Sequence, residues 1–134
     1  MLMREAREAL VEYGKKLSAA RLCPGTSGNL SIYDPDSGLM AITPSGIGYY
    51  ETRPEDIVIT DLNGNRMDGE RKPSSELKLH AAFYKRKPEI CAVVHTHSVF
   101  CTTLGILGEP IRAVHFMIGA ANTNEVPLAP YVTF

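Results

Sequence analysis

His95 and His97 stand two residues apart at the end of an apolar run, Ile90-Cys91-Ala92-Val93-Val94. Such a run reads as a buried β-strand. On a strand, residues i and i+2 point to the same face. Two neighbouring imidazoles form half of a metal site, and imidazole ligands suit zinc. The bland alternative is a pair of satisfied polar residues at a strand end; the His-x-His spacing on an apolar strand weighs toward a metal. A catalytic zinc takes three protein ligands and keeps one position open, so the pair alone is not a complete site.

Upstream lies Pro73-Ser74-Ser75-Glu76, where a helix is expected to begin. Two readings of this segment carry equal weight. Ser74 or Ser75 can cap the helix while Glu76 complements its dipole. The same hydroxyls and free amides can also hold a phosphate, with Glu76 beside a metal as a general base. Gly25-Thr26-Ser27-Gly28-Asn29 lacks the Lys-Ser/Thr ending of a phosphate-binding P-loop, and it does not follow a strand as a dinucleotide fingerprint would. It is either a helix-to-strand turn or a glycine-rich approach to an anion. Thr43-Pro44-Ser45-Gly46 is a further turn that can present a hydroxyl and amides. Structural roles are expected for His80, one helical turn after Glu76, and for His115, in an apolar stretch.

The elements that must position these groups follow from periodicity and turn chemistry. Leu2, Ala6, Leu10, Tyr13 and Leu17 form one apolar stripe, predicting a helix over residues 2–22 that stops before Pro24-Gly25. Strands are expected over 30–33 and 39–43, separated by the turn Asp34-Pro35-Asp36-Ser37-Gly38. Pro54-Glu55-Asp56 predicts one helical turn before a strand over 57–60, and Asn63-Gly64 is a hairpin signal. Helices are expected over 74–86 and 98–107, with strands over 90–95, 111–114 and 129–134. Hairpins and helical crossovers together imply an α/β fold: three layers, with a mixed, largely antiparallel central sheet flanked by helices.

The 134 residues suffice for one domain with its own core. An apolar fraction of 44%, a charged fraction of 22% and a net charge of -1 are ordinary for a globular protein. Lys and Arg are scattered, so no nucleic-acid footprint is expected. No apolar run approaches a membrane span, and the mixed charges near the N-terminus do not form a signal peptide. Cys23, Cys91 and Cys101 are an odd set with no close pair, which predicts reduced thiols in a cytoplasmic protein.

The ordered motifs GTSGNLS, TPSG, KPSSE, VVHTHS, AVHFMIGAA and APYVTF together resemble the class II aldolase/adducin family, nearest its L-fuculose-1-phosphate aldolase branch. The resemblance runs over essentially the whole chain. It implies a zinc-dependent aldolase that cleaves a ketose 1-phosphate into dihydroxyacetone phosphate and an aldehyde. By motif, His95 and His97 fall on two zinc ligands and Glu76 on the catalytic acid/base. Thr26, Asn29, Ser45, Gly46, Ser74 and Ser75 fall on phosphate-binding positions. Phe116 stands where that branch often has a tyrosine near the aldehyde pocket of a neighbouring subunit.

The family continues past APYVTF with more sheet and a third zinc histidine. The resemblance therefore implies that residues 1–134 are the N-terminal part of one class II aldolase/adducin domain, truncated at the C-terminus. It also implies a homotetramer in the intact family and a small-molecule sugar phosphate as substrate, with no nucleic-acid or membrane partner. The alternatives are a sugar-phosphate 4-epimerase, dehydratase or decarboxylase of the same family, or an inactive adducin-like association domain. Glu76 leans toward the aldolase, since the epimerase branch typically carries an aspartate there.

Overall fold

The computed structural model describes residues 1–132. By internal contacts the chain divides into two units, Met1–Thr96 and His97–Phe134.

The first unit opens with helix α1, Arg4–Ala19. Exposed Arg4–Glu8 and Glu12–Lys16 pairs, at 2.9 and 2.6 Å, lie along its solvent side. Solvent screens such exposed pairs, so they contribute little to stability. The helix stops short of residue 22 because Arg21 turns into the left-handed region, at φ 57°. Strands β1 (Asn29–Asp34), β2 (Leu39–Ile42), β3 (Val58–Asp61) and β4 (Arg66–Asp68) then form a meander. A single 3-10 turn, Pro54–Asp56, precedes β3. The Asn63-Gly64 hairpin forms as expected: the Asp61 carboxylate accepts from the amides of Asn63 and Asn65 at 2.8 and 2.9 Å, and Gly64 supplies φ 91°. Helix α2, Leu77–Arg86, crosses over to β5, Ala92–His95.

The sheet order is β4-β3-β2-β1-β5, and all its described pairings are antiparallel. Following those pairings, β4 and β5 run in the same direction, as a helical crossover requires. Three strands separate them, so no parallel ladder results. Strand alternation sends Leu30, Ala41 and Ile59 toward α1, where Leu10 and Tyr49 complete a core. It sends Met40 the other way, against Ala81 and Tyr84 of α2. A helix on each face of the sheet gives the three layers expected.

Arg7 fixes α1 to this sheet. Its guanidinium is 1% exposed and donates to the carbonyls of Leu2, Pro54 and Ile57 and to the Asp68 carboxylate, at 2.7, 3.0, 2.5 and 2.8 Å. A buried guanidinium is tolerated when its donors are satisfied in this way.

The second unit contains α3 (Val99–Leu107), β6 (Ile111–Arg112), a 3-10 segment (Phe116–Ala121) and β7 (Glu125–Val126). Gly108, at φ 74°, ends α3 with its N–H on the Gly105 carbonyl. β6 and β7 pair antiparallel. The strand expected over 111–114 is shorter because the Val114 amide turns back onto the Arg112 carbonyl at 2.8 Å. Residues 129–132 form no strand; Pro130 among them has no N–H to give a ladder. Residues 133–134 of the expected strand lie outside the described residues. Among those described, no helix is long and apolar enough to cross a membrane. The three cysteines form no disulfide, with Cys23 buried and Cys91 and Cys101 exposed.

Candidate active site

The register of the sheet brings the chemistry together. β1 and β5 pair Asn29 with His95 and Ser31 with Val93. Directly opposed residues share a face, so Asn29, Ser31 and His95 all point toward α2. On that side, Glu76, His80 and Tyr84 recur every four residues, a spacing that lines one face of a helix.

Regular α2 starts at Leu77 rather than Ser74. A turn at Ser74 leads into it: the Ser74 hydroxyl accepts from the Glu76 amide at 3.3 Å, its carbonyl accepts from the Leu77 amide at 3.2 Å, and Glu76 is the N-cap residue. Glu76 sits at a helix start, and its carboxylate also turns toward β1 and β5.

These side chains form one connected series. The Glu76 carboxylate contacts His95 Nδ1 and accepts from Asn29 Nδ2 at 2.9 Å. Asn29 Oδ1 faces His80 Nε2 at 2.5 Å. His80 Nδ1 lies 2.7 Å from Ser31 Oγ, and Ser31 Oγ lies 2.6 Å from the Tyr84 hydroxyl. His80 is 0% exposed and Asn29 7%, so each partner offsets a real desolvation cost.

Burial lowers the His80 pKa to about 4, and nearby His95 adds to the effect while Glu76 opposes it. Burial likewise raises the Tyr84 phenol to about 12. A histidine depressed in the folded state favours folding only while it stays neutral. Its contribution is complete above the unfolded value of 6.5 and disappears as pH falls toward about 4. Urea denaturation at a series of pH values should therefore show stability falling across that window by up to about 3 kcal/mol. The slope should flatten in His80→Gln.

The expected phosphate positions are distributed around this series. The TPSG and KPSS turns lie side by side through the Pro44–Pro73 bridge. The Ser45 amide donates to the Lys72 carbonyl at 2.9 Å, and the Ser74 amide to the Thr43 carbonyl at 3.0 Å. Thr26, Ser45, Gly46 and Ser75 are exposed, and Ser74 is buried. The loop carrying Thr26 is held from behind, where the Tyr49 hydroxyl donates to the Ser27 carbonyl at 3.1 Å. Burial pushes the Tyr49 phenol upward, so it remains a donor. Gly28, at φ +73°, lies against Cys23 Sγ and the His95 carbonyl. The glycine thus permits a close approach, to the protein's own β5.

His97 and Phe116 belong to the second unit. Phe116 is exposed and its ring packs on His115 at 4.5 Å.

Asn29 is more than a candidate phosphate donor, since it bridges Glu76 and His80. Ser31 and Tyr84 were not among the candidate residues. Their signal lay in the sequence all the same: polar Glu76, His80 and Tyr84 at helical spacing, opposite polar Asn29 and Ser31 at strand spacing. A cavity of about 660 Å³ in the first unit lies elsewhere, beside Arg7, Asp56, Asp68 and Arg71. Those charges are engaged in pinning α1 and β4.

Comparison with known proteins gives a consistent result. The family described as Class II Aldolase and Adducin N-terminal domain matches residues 8–134. The 5-deoxy-D-ribulose 1-phosphate aldolase of Bacillus thuringiensis serovar kurstaki is 49% identical over 134 residues, all of this chain and 62% of that protein. The L-fuculose phosphate aldolase of Escherichia coli K12 is 46% identical over 110 residues, 82% of this chain and 50% of that protein. A solved L-fuculose 1-phosphate aldolase superposes with a TM-score of 0.94 at 44% identity, covering 100% of this chain and 63% of its own. The chain thus spans between half and two thirds of the length of these relatives. With the antiparallel sheet between α1 and α2 matched throughout, this chain belongs to the class II aldolase and adducin N-terminal domain family.

Proposed function

We propose that the protein is a metal-dependent aldolase that cleaves a ketose 1-phosphate to dihydroxyacetone phosphate and an aldehyde. The observation that carries this reading is the meeting of Glu76 with His95 beside the paired TPSG and KPSS turns.

The donor set suits a divalent cation. A carboxylate oxygen and an imidazole nitrogen both offer lone pairs, and their close approach needs a proton or a cation between them. Glu76, His95 and His97 would hold the ion; His97 follows His95 by two residues, which bounds their Cα separation at roughly 7 Å. Oxygen and imidazole ligands suit zinc. When bound, the cation supplies Lewis acidity at the carbonyl oxygen, which takes up the electron pair released as the C–C bond of the ketose breaks and makes the adjacent C–H bond of dihydroxyacetone phosphate more acidic.

The protein's own groups do the rest. Glu76, oriented by Asn29, takes and returns that proton. The amides of Ser45 and Ser74 are committed to joining the two turns. Phosphate recognition therefore falls largely to side chains, with the exposed Thr26, Ser45 and Ser75 hydroxyls foremost and Asn29, Gly46 and Ser74 framing them. Fixing the phosphate orients the reacting carbon. By its place in the family motif, Phe116 would offer an apolar ring to the aldehyde end in a neighbouring subunit. A 5-deoxy sugar ends in a methyl group, which an apolar ring accommodates without an unpaired polar atom.

The test is dihydroxyacetone phosphate release from L-fuculose 1-phosphate and 5-deoxyribulose 1-phosphate, with elemental analysis of the zinc-supplemented protein. Metal should bind and should fall sharply in His95→Ala and His97→Ala. Release of product without metal, or no metal and no product, would rule the reading out.

A further inference from the structure

The order of donors along the buried polar series is determined by chemistry. An ionised Glu76 can only accept, so Asn29 must present its NH₂ to it and its carbonyl oxygen to His80. His80 Nε2 must then carry a proton, leaving Nδ1 as an acceptor for the Ser31 hydroxyl. Ser31 has spent its hydrogen, so Tyr84 must donate to it. The series ends at Tyr84, whose hydroxyl is its first donor. Every hydroxyl, ring and amide has one consistent orientation, and a series polarised in one sense strengthens each member.

We propose that His80 is a positioning residue for Glu76, acting through Asn29. With Nδ1 occupied by Ser31, His80 can only donate from Nε2. That donation holds the Asn29 amide with its NH₂ toward the Glu76 carboxylate. Without it, the Asn29 amide can flip and present oxygen to oxygen, which repels the carboxylate from its place beside His95. The neutral state of His80 in its buried setting agrees with this role. The role rests on the reading of Glu76 as the proton-transfer group, whereas the orientation of Asn29 can be tested without it.

The experiment uses the whole chain labelled with ¹⁵N. Imidazole spectra at neutral pH should show His80 protonated at Nε2 and bare at Nδ1. The Asn29 side-chain amide should show a distinct shift and slow exchange with water. His80→Leu should collapse that signature, and His80→Gln, whose amide can donate from the Nε2 position, should restore it. Solvent-deuterium exchange into dihydroxyacetone phosphate, with zinc supplied, should fall roughly tenfold in the leucine variant, in kcat rather than KM, and recover in the glutamine variant. A His80 protonated at Nδ1, or an Asn29 signature unchanged in His80→Leu, overturns the proposal. An intact NMR result with no exchange in the unmodified protein instead overturns the role of Glu76 and leaves the orientation of Asn29 established.

Discussion

Glu76→Gln should abolish exchange of the carbon-bound proton of dihydroxyacetone phosphate with solvent deuterium, lowering its rate by about 10²–10⁴-fold, the usual contribution of a general base. Glutamine keeps the size of the side chain, and its carbonyl can still accept from Asn29 Nδ2, which now lies 2.9 Å from the carboxylate. The Ser74 hydroxyl accepts from the Glu76 backbone amide, not its side chain, so the turn that leads into α2 should persist. Phosphate recognition by Ser45 and Ser75 is likewise untouched. Binding of dihydroxyacetone phosphate should therefore survive while exchange is lost. Because the carboxylate is also a proposed metal donor, metal content must be read in the same samples. Loss of exchange at matched metal occupancy identifies the base. Exchange near that of the unmodified protein would remove Glu76 from the mechanism.

Local chemistry made much of this architecture readable. Gly64 supplied positive φ and gave a hairpin; Leu10 and its apolar neighbours at helical spacing gave α1; the run ending at His95 gave β5, although that strand is exposed or half-buried rather than buried as expected. The helix expected from Ser74 begins three residues later, at Leu77, because a hydrogen-bonded turn at Ser74 precedes the regular turns. What stayed hidden was pairing. Nothing local says that Asn29 lies opposite His95 or that Ser31 lies opposite Val93. Those registers set the partners of His80, and without them a buried histidine reads as an isolated polar residue. The strand expected over residues 129–134 failed over its described part for an opposite reason: its apolar composition suggested a strand, but Pro130 could not serve a ladder.

The glycine-rich loop yields the other large effect. Gly28→Ala should destabilise the first unit by about 3 kcal/mol and weaken metal binding with it. About 1–2 kcal/mol comes from placing a Cβ in the left-handed region, where Gly28 sits at φ +73°. The remainder comes from overpacking, typically about 1–3 kcal/mol. A Cβ there would meet Cys23 Sγ and, at 2.8 Å, the carbonyl oxygen of His95. That second neighbour is backbone, so relief requires moving β5 at the residue whose imidazole faces Glu76. Gly25 provides the internal control. It too has positive φ, at +60°, but an added Cβ would meet nothing within 4 Å. Gly25→Ala should therefore incur the backbone cost alone, about 1 kcal/mol, and leave metal binding unchanged. Urea denaturation midpoints and zinc titration of the two variants separate the effects. Equal losses would mean that the backbone twist alone demands glycine at both positions. A larger loss at Gly28, with weaker metal binding, would show that this loop is shaped by the approach of His95.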